Sequence, residues 1–152
     1  MVKLDLQAAK NEFIKWANDS NWLLEYDIEA CLNNELSEDD PDLESYNKKH
    51  VMKTINNIKK GRIEVLEDEN GNVKINQILA KPVVCLDKEV IQFTYRNCNV
   101  GDLQRVVKQN KNEVDILLNS MSMLSGQTTT VINKMSILDY SVLLSVYMVF
   151  FT

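Results

Sequence analysis

The chain has 152 residues, of which 45% are hydrophobic and 26% charged, and its formal net charge is -5. This composition is typical of a globular domain and excludes a disordered or fibrous chain. The negative charge argues against a nucleic-acid-binding protein, which needs a basic face for phosphates. About six excess negative charges lie before Ile78, so we expect the nearly neutral second half to meet protein rather than polyanion.

The cysteines and the hydrophobic runs predict the compartment. Cys31, Cys85 and Cys98 are widely spaced and odd in number, which favours a reducing cytosol over a disulfide framework. The N-terminal residues lack the apolar run of a signal peptide. The most hydrophobic run, residues 141–151, is shorter than the roughly 18 to 20 residues that span a bilayer. We therefore expect a cytoplasmic protein that does not associate with membranes.

Two amphipathic helices are predicted near the N-terminus. Apolar residues recur at three- and four-residue steps over residues 4–17 and again over about 21–33. Together these helices are predicted to form an αα-hairpin. Trp16, Trp22 and Tyr26 lie on them, where packing in the helix core is the simpler interpretation and an aromatic ligand box is the alternative.

A third helix is predicted to follow the acidic run 35–44. That run does not have the residue order of a calcium loop, so we interpret Asp40 as the N-cap and Pro41 as the first helical residue. The helix is predicted to end at Gly61, in the left-handed conformation. His50 is the only histidine and lacks partners for a catalytic triad or a zinc site. We interpret it as a partly exposed helix residue.

After Gly61 the period of the apolar residues changes from 3.6 to 2, which predicts strands. The strand-like runs are residues 62–66, 73–79, 81–86 and 90–95. Asn70 and Gly71 predict a hairpin turn between the first two runs. Pro82 limits its run to the edge of a sheet or the start of a strand. The middle of the chain is therefore expected to form an antiparallel sheet of two to four strands.

Helical segments are predicted to cover this sheet, beginning near residues 99–101, 112, 128 and 137. Gly126 is predicted to end the second of them, and Ser136 and Asp139 to form a capping box for the last. This last helix is apolar nearly all round, so it is either fully buried or keeps one face for another chain. We favour the second arrangement. The residues predicted to contact a partner are Leu143, Val146, Tyr147, Phe150 and Phe151.

The predicted fold class is α+β, mainly helical, with a small antiparallel sheet in the middle of the chain packed against C-terminal helices. Residues 1–61 are predicted to form an acidic N-terminal helical region and residues 62–152 a second domain. Nucleotide-binding and nucleophile motifs are absent from the sequence, so we predict no enzyme activity, no cofactor and no metal. Arg96, Gly101 and Asp102 are predicted to form a structural joint, with an ion pair rather than an active site.

Residues 77–152 resemble the phage tail assembly chaperone family of Mu-like and P2-like contractile-tailed phages. The pattern consists of Lys81-Pro82, a strand from Val90 to Arg96, Gly101-Asp102-Leu103, Leu124-Ser125-Gly126, and Ile137-Leu138-Asp139-Tyr140 leading into an apolar closing helix that contains Phe150. These pieces occur in the order and spacing of the family over about 75 residues. The resemblance does not extend to the first 76 residues.

The resemblance implies a non-catalytic assembly factor in the cytoplasm of an infected cell. It would bind the tape measure protein, keep its long helices soluble until tube subunits polymerise around them, and be absent from the mature virion. An apolar terminal helix suits such a client, and the acidic half would keep the complex soluble. Self-association into a homo-oligomer is a further expectation. The alternatives are a structural tail component, or a small phage-encoded inhibitor or regulator of a host protein that acts through the acidic N-terminal half.

Overall fold

Helices cover one face of a three-stranded antiparallel sheet in the computed structural model, which describes residues 2–19 and 43–150. The helices are α1 (Leu6–Asp19), α2 (Leu43–Lys59), α3 (Val100–Gln109), α4 (Glu113–Ser125), α5 (Thr129–Asn133) and α6 (Ile137–Phe150). The strands are β1 (Ile63–Glu67), β2 (Val73–Cys85) and β3 (Lys88–Tyr95), in the order β1-β2-β3. The predicted α+β class with a sheet in the middle of the chain is confirmed.

Some of the predicted features lie outside the described residues. These are the helix at about residues 21–33, the capping residues Asp40 and Pro41, and the aromatic residues Trp22 and Tyr26. The described part of the N-terminal region consists of α1 and α2.

Capping side chains and glycines define several of the helix ends. Asp5 Oδ1 accepts the Ala8 backbone N–H at 2.7 Å at the start of α1. Gly61 follows α2 with φ 71°, and Gly126 follows α4 with φ 67°, both in the left-handed region that glycine adopts without strain. Both helix ends predicted from glycine are confirmed.

β1 and β2 form the predicted hairpin. Their register runs from Ile63 opposite Gln77 to Glu67 opposite Val73. The turn between them contains Gly71 at φ 80° and is closed by the Asp68 carboxylate, which accepts backbone N–H groups from the two asparagines of the turn at 2.9 Å. The Asn-Gly signal therefore marks the turn correctly.

β2 continues past Pro82, so the predicted runs 73–79 and 81–86 belong to one strand. Ile78 pairs with Gln92 and Val83 with Val90, so four residues of β2 oppose one residue of β3. Pro82 lies in this bulge, where its missing N–H removes no ladder hydrogen bond. β1 pairs only with the first part of β2, so Pro82 also has no strand on its other side.

One apolar core joins the N-terminal helices to the rest of the described chain. Alternate residues in the central part of the sheet face inward, among them Val65, Ile75 and Phe93, because side chains alternate along a strand. The apolar faces of α1 and α2 cover this face together with α6. Trp16 is part of the core, with its ring centroid 5.8 Å from that of Phe13. The division into two domains stays a prediction, but both regions contribute to the same core.

Candidate functional site

The turn from β3 to α3 is held by an ion pair between Arg96 and Asp102. Arg96 Nη1 lies 2.7 Å from Asp102 Oδ2 and Nη2 lies 3.1 Å from Oδ1, so the contact is bidentate. Asp102 is buried, whereas the Arg96 side chain keeps much of its surface in solvent. The two side chains that the sequence predicts to pair are therefore in direct contact.

Asp102 also closes a capping box with Asn99. Asn99 Oδ1 accepts the Asp102 backbone N–H at 3.0 Å, and Asp102 Oδ2 accepts the Asn99 backbone N–H at 3.2 Å. Gly101 lies between them, and a Cβ at this position would come within 3.2 Å of Asn99 Oδ1. The Arg96 backbone N–H donates to the Leu124 carbonyl oxygen at 2.9 Å, which fixes the joint to the end of α4.

The groups at this joint are suited to structure rather than to catalysis. The hydrogen bonds from Arg96 hold the pKa of Asp102 below its usual range. The carboxylate therefore stays ionised, and its oxygens are already engaged in hydrogen bonds. Burial raises the pKa of the neighbouring Cys98 thiol, and the charge of Asp102 adds to this effect while Arg96 opposes it. A thiol with a raised pKa is a weak nucleophile near neutral pH.

Within residues 2–19 and 43–150, no three His, Cys, Asp or Glu side chains are grouped so that they could hold a metal ion. No helix in that part of the chain has both the length and the apolar character needed to cross a membrane. Cys85 and Cys98 are free thiols.

Two of the five residues of the last helix that were predicted to contact a partner are buried, which corrects the prediction for those two. Leu143 and Val146 are both 0% exposed and lie in the apolar core, and Tyr147 is half-buried against it. The side chain of Phe150 and the whole of Phe151 lie outside the described residues. The physical reason is that α6 packs between α2 and β2, so the N-terminal region covers the face that we expected to be free.

A buried polar network links α6 to the sheet. Asp139 is 0% exposed, and its carboxylate accepts the Ala80 backbone N–H at 2.6 Å and the Lys81 backbone N–H at 3.2 Å. Gln77 Nε2 donates to the Asp139 carbonyl oxygen at 2.9 Å, and the Tyr95 hydroxyl donates to Gln77 Oε1 at 2.7 Å. Burial raises the pKa of Tyr95 well above its ordinary value, so its hydroxyl keeps the proton that it donates.

The role of Asp139 differs from the one that the capping-box pattern predicts. Ser136 Oγ accepts the Asp139 backbone N–H at 3.2 Å, as in a capping box. The Asp139 carboxylate, however, accepts from the Ser136 hydroxyl at 2.6 Å and from the bulge of β2. Two features of the sequence could have indicated this contact. Asp139 is a lone carboxylate in the first turn of an otherwise apolar helix, and Pro82 interrupts a strand.

Helices α3 and α4 carry three exposed apolar side chains. Val100 and Val107 are seven residues apart on α3, hence on the same side of the helix, and are 70% and 55% exposed. Val114 at the start of α4 is also exposed. We call these three residues the α3–α4 apolar surface. Among the described elements α3 packs mainly on α4, so this side of α3 is open.

A second set of exposed apolar side chains lies at the far end of the β2–β3 hairpin. Its members are Val84, Leu86 and Ile91. Leu86 and Asp87 form the turn with positive φ angles of 49° and 62°. Residues other than glycine adopt this conformation at a cost, so the turn is held by its flanking strand pairs, including Cys85 opposite Lys88.

Comparisons with known proteins give no assignment: no protein-family model, no curated protein and no solved structure matches this chain.

Proposed function

We propose that this protein is a non-catalytic phage tail assembly chaperone. In this proposal it binds the tape measure protein in the cytoplasm of the infected cell and keeps it soluble before the tail tube polymerises. It is absent from the mature virion. The proposal rests on the resemblance of residues 77–152 to that family and on how the matching residues are arranged in the fold.

The observation that carries the proposal is that the separate pieces of the pattern contact one another. The Lys81 backbone N–H donates to Asp139, which joins the Lys-Pro piece to the closing helix. Arg96 pairs with Asp102, and its backbone N–H donates to Leu124, which joins the strand to the next two pieces. The pieces of the pattern therefore lie in one connected part of the fold, as a shared family pattern requires.

The α3–α4 apolar surface is the client-binding surface in this proposal. It replaces Leu143 and Val146, which are buried. Long helices kept apart from their partners expose apolar stripes, and an amphipathic helix binds by laying its stripe against an apolar surface. Val100 and Val107 offer such a surface two helical turns in length, about 10 Å.

Co-expression tests the proposal. The chain is produced together with the tape measure protein encoded in the same genome, and the soluble fraction of the tape measure protein is measured by quantitative blotting. We expect the wild-type chain to raise that fraction several-fold, and the double variant Val100→Asp, Val107→Asp to lose the effect. Both side chains are exposed, so these substitutions leave the core intact.

A matched control uses the exposed end of the β2–β3 hairpin. The double variant Leu86→Asp, Ile91→Asp introduces the same charge at side chains that are exposed to a similar degree. It is expected to keep the client soluble as well as the wild type does. Equal solubility of the tape measure protein with and without the wild-type chain would contradict the proposal. If only the hairpin variant failed to keep the tape measure protein soluble, the client-binding surface would lie on the hairpin instead.

The alternative of a host-protein inhibitor acting through the N-terminal half would need that half to act separately. Phe13 in α1 and Ile55 in α2 are 0% exposed in the core shared with α6. The N-terminal region is therefore tested in the full chain and not as a fragment. We propose that the described helices α1 and α2 serve mainly to cover α6 and the sheet. Residues 20–42, which carry most of the acidic charge of this half, lie outside the described residues.

A further inference from the structure

A positively charged groove runs between α2 and the start of α6, in a chain whose net charge is -5. Its volume is about 500 Å³. Four cations line it: Lys49, Lys53, Lys60 and Arg62. Among the described residues, the lining includes no carboxylate. Four cations around one groove create a positive local field.

The cations follow the axis of α2. Lys49 and Lys53 are four residues apart and therefore lie on the same side of the helix. Lys60 comes seven residues later, just past the end of α2, so the row from Lys49 extends about 16 Å at 1.5 Å per residue. Arg62 continues it toward β1. This length corresponds to a peptide segment of a few turns and exceeds that of a single small anion.

The charges of this row are not neutralised by the described carboxylates. The ion pairs found there join Lys15 to Glu67 and Arg96 to Asp102, and neither pair involves a cation of the groove. Nearby, burial lowers the pKa of His50, and the positive charges of Lys53 and then Lys49 lower it further. Among the described side chains, the face of α2 around the groove therefore carries an excess of positive charge.

The bottom of the groove combines apolar side chains with a buried amide. Val142 of α6 and Asn57 of α2 are buried there, and Met52 of α2 is half-buried beside them. Leu138 is 44% exposed and forms the wall on the side of α6. A ligand that fills this groove therefore needs apolar side chains for the bottom and negative charges for the rim. A phosphate ion or a nucleic-acid backbone supplies only the second of these.

We infer that the groove between α2 and α6 binds an acidic, amphipathic peptide segment of a partner protein. Carboxylates of the segment pair with Lys49, Lys53, Lys60 and Arg62 at the rim, and its apolar side chains cover Leu138 and Met52. The inference is independent of the tape measure proposal, because it depends on the charge and shape of the groove and not on the α3–α4 apolar surface.

Binding of a designed peptide to the full-length chain tests this inference. The probe is a fluorescently labelled amphipathic helix of about 14 residues, built from Glu on one face and Leu on the other, long enough to follow the row of cations. Its counterpart has Gln in place of every Glu. Fluorescence anisotropy is expected to show binding of the Glu peptide that weakens as salt is raised, and much weaker binding of the Gln peptide.

Matched charge variants locate the site. The double variant Lys49→Glu, Lys53→Glu is expected to bind the Glu peptide about tenfold or more weakly, because it reverses two charges at the rim. The control Lys108→Glu, Lys111→Glu makes the same change in net charge at exposed lysines near the end of α3 and is expected to bind like the wild type. Leu138→Asp, at a partly exposed side chain, tests the apolar wall separately.

Either of two results would overturn the inference: an equal loss of binding in the two lysine variants, or equal binding of the Glu and Gln peptides. A single-stranded oligonucleotide or inorganic phosphate that displaces the peptide at equal concentration would instead make the groove a general anion site. The Val100→Asp, Val107→Asp variant should still bind the Glu peptide, so failure of the chaperone proposal and failure of this inference give different results.

Discussion

The Asp139 carboxylate at the start of α6 accepts the backbone N–H of Ala80 in β2 at 2.6 Å, across 59 residues of sequence. The contact occurs where Pro82 and the bulge interrupt the pairing of β2 with β3. The buried Asp139 carboxylate here supplies an acceptor for a backbone N–H that the neighbouring strand leaves unpaired, and these hydrogen bonds in turn satisfy the carboxylate. The sheet and the last helix therefore depend on each other at this point.

Replacement of Asp139 by alanine is the first prediction. Asp139→Ala removes the acceptor for two backbone N–H groups and for the Ser136 hydroxyl, so we expect the free energy of unfolding to fall by about 2–4 kcal/mol. Ser136→Ala removes only the hydroxyl and should cost about 1 kcal/mol. Urea denaturation followed by circular dichroism measures both. A smaller loss for Asp139→Ala than for Ser136→Ala would contradict the role assigned to Asp139.

The ion pair at the joint predicts a dependence of stability on pH. Hydrogen bonds from Arg96 lower the pKa of Asp102 in the folded state, so the pair stabilises the fold above the unfolded pKa of about 3.9. This contribution is lost as the pH falls through the lower folded pKa. The melting temperature of the wild type should therefore exceed that of Asp102→Asn at neutral pH, and the gap should narrow in acid. A gap that stays constant down to about pH 3 would contradict this prediction.

Burial of α6 is tested by truncating a side chain in the core. Leu143→Ala leaves a cavity in the core and is expected to lower the free energy of unfolding by about 2–5 kcal/mol. The control Ile137→Ala lies on the same helix at a side chain that is 88% exposed, and it should change the stability by about 0.5 kcal/mol or less. Equal effects of the two substitutions in urea denaturation would mean that Leu143 is not in the core.

Substitution of Gly61 and of Gly126, which have the same left-handed conformation, distinguishes the effect of backbone strain on stability from that of a steric clash. Gly126→Ala places a side chain at φ 67° with open space around it, so only the left-handed backbone is penalised, by about 1–2 kcal/mol. Gly61→Ala has the same penalty, and its Cβ would also meet the carbonyl oxygen of Val2. We therefore expect Gly61→Ala to lower the melting temperature more than Gly126→Ala. The opposite order would show that the segment around Val2 does not pack against Gly61.

Local signals predicted the element boundaries well, because the interactions involved are local. Gly61 and Gly126 end helices since the chain there needs a left-handed residue, and Gly71 marks its hairpin for the same reason. The pairing of Arg96 with Asp102 spans six residues around one turn, so the sequence is sufficient to suggest it. Such features depend on neighbours along the chain and not on the rest of the fold.

The features that the sequence did not predict depend on residues far apart in the chain. The uniformly apolar α6 gives no preferred face, so its pattern does not distinguish a buried helix from one with a free side. Whether α6 is buried depends on α2, which belongs to the N-terminal region that was predicted to be separate from the second domain. Likewise, β2 continues through Pro82 because Asp139 accepts the N–H groups there, and no local pattern links the two sites.

We propose that this chain binds a tape measure protein through the α3–α4 apolar surface. The most direct measurement is a pull-down with the tagged, full-length chain from cells that co-express the tape measure protein, with the bound amount quantified. We expect stable retention by the wild type and by the Leu86→Asp, Ile91→Asp variant, and loss of retention by the Val100→Asp, Val107→Asp variant. No retention by the wild type, or equal retention by all three proteins, would contradict it.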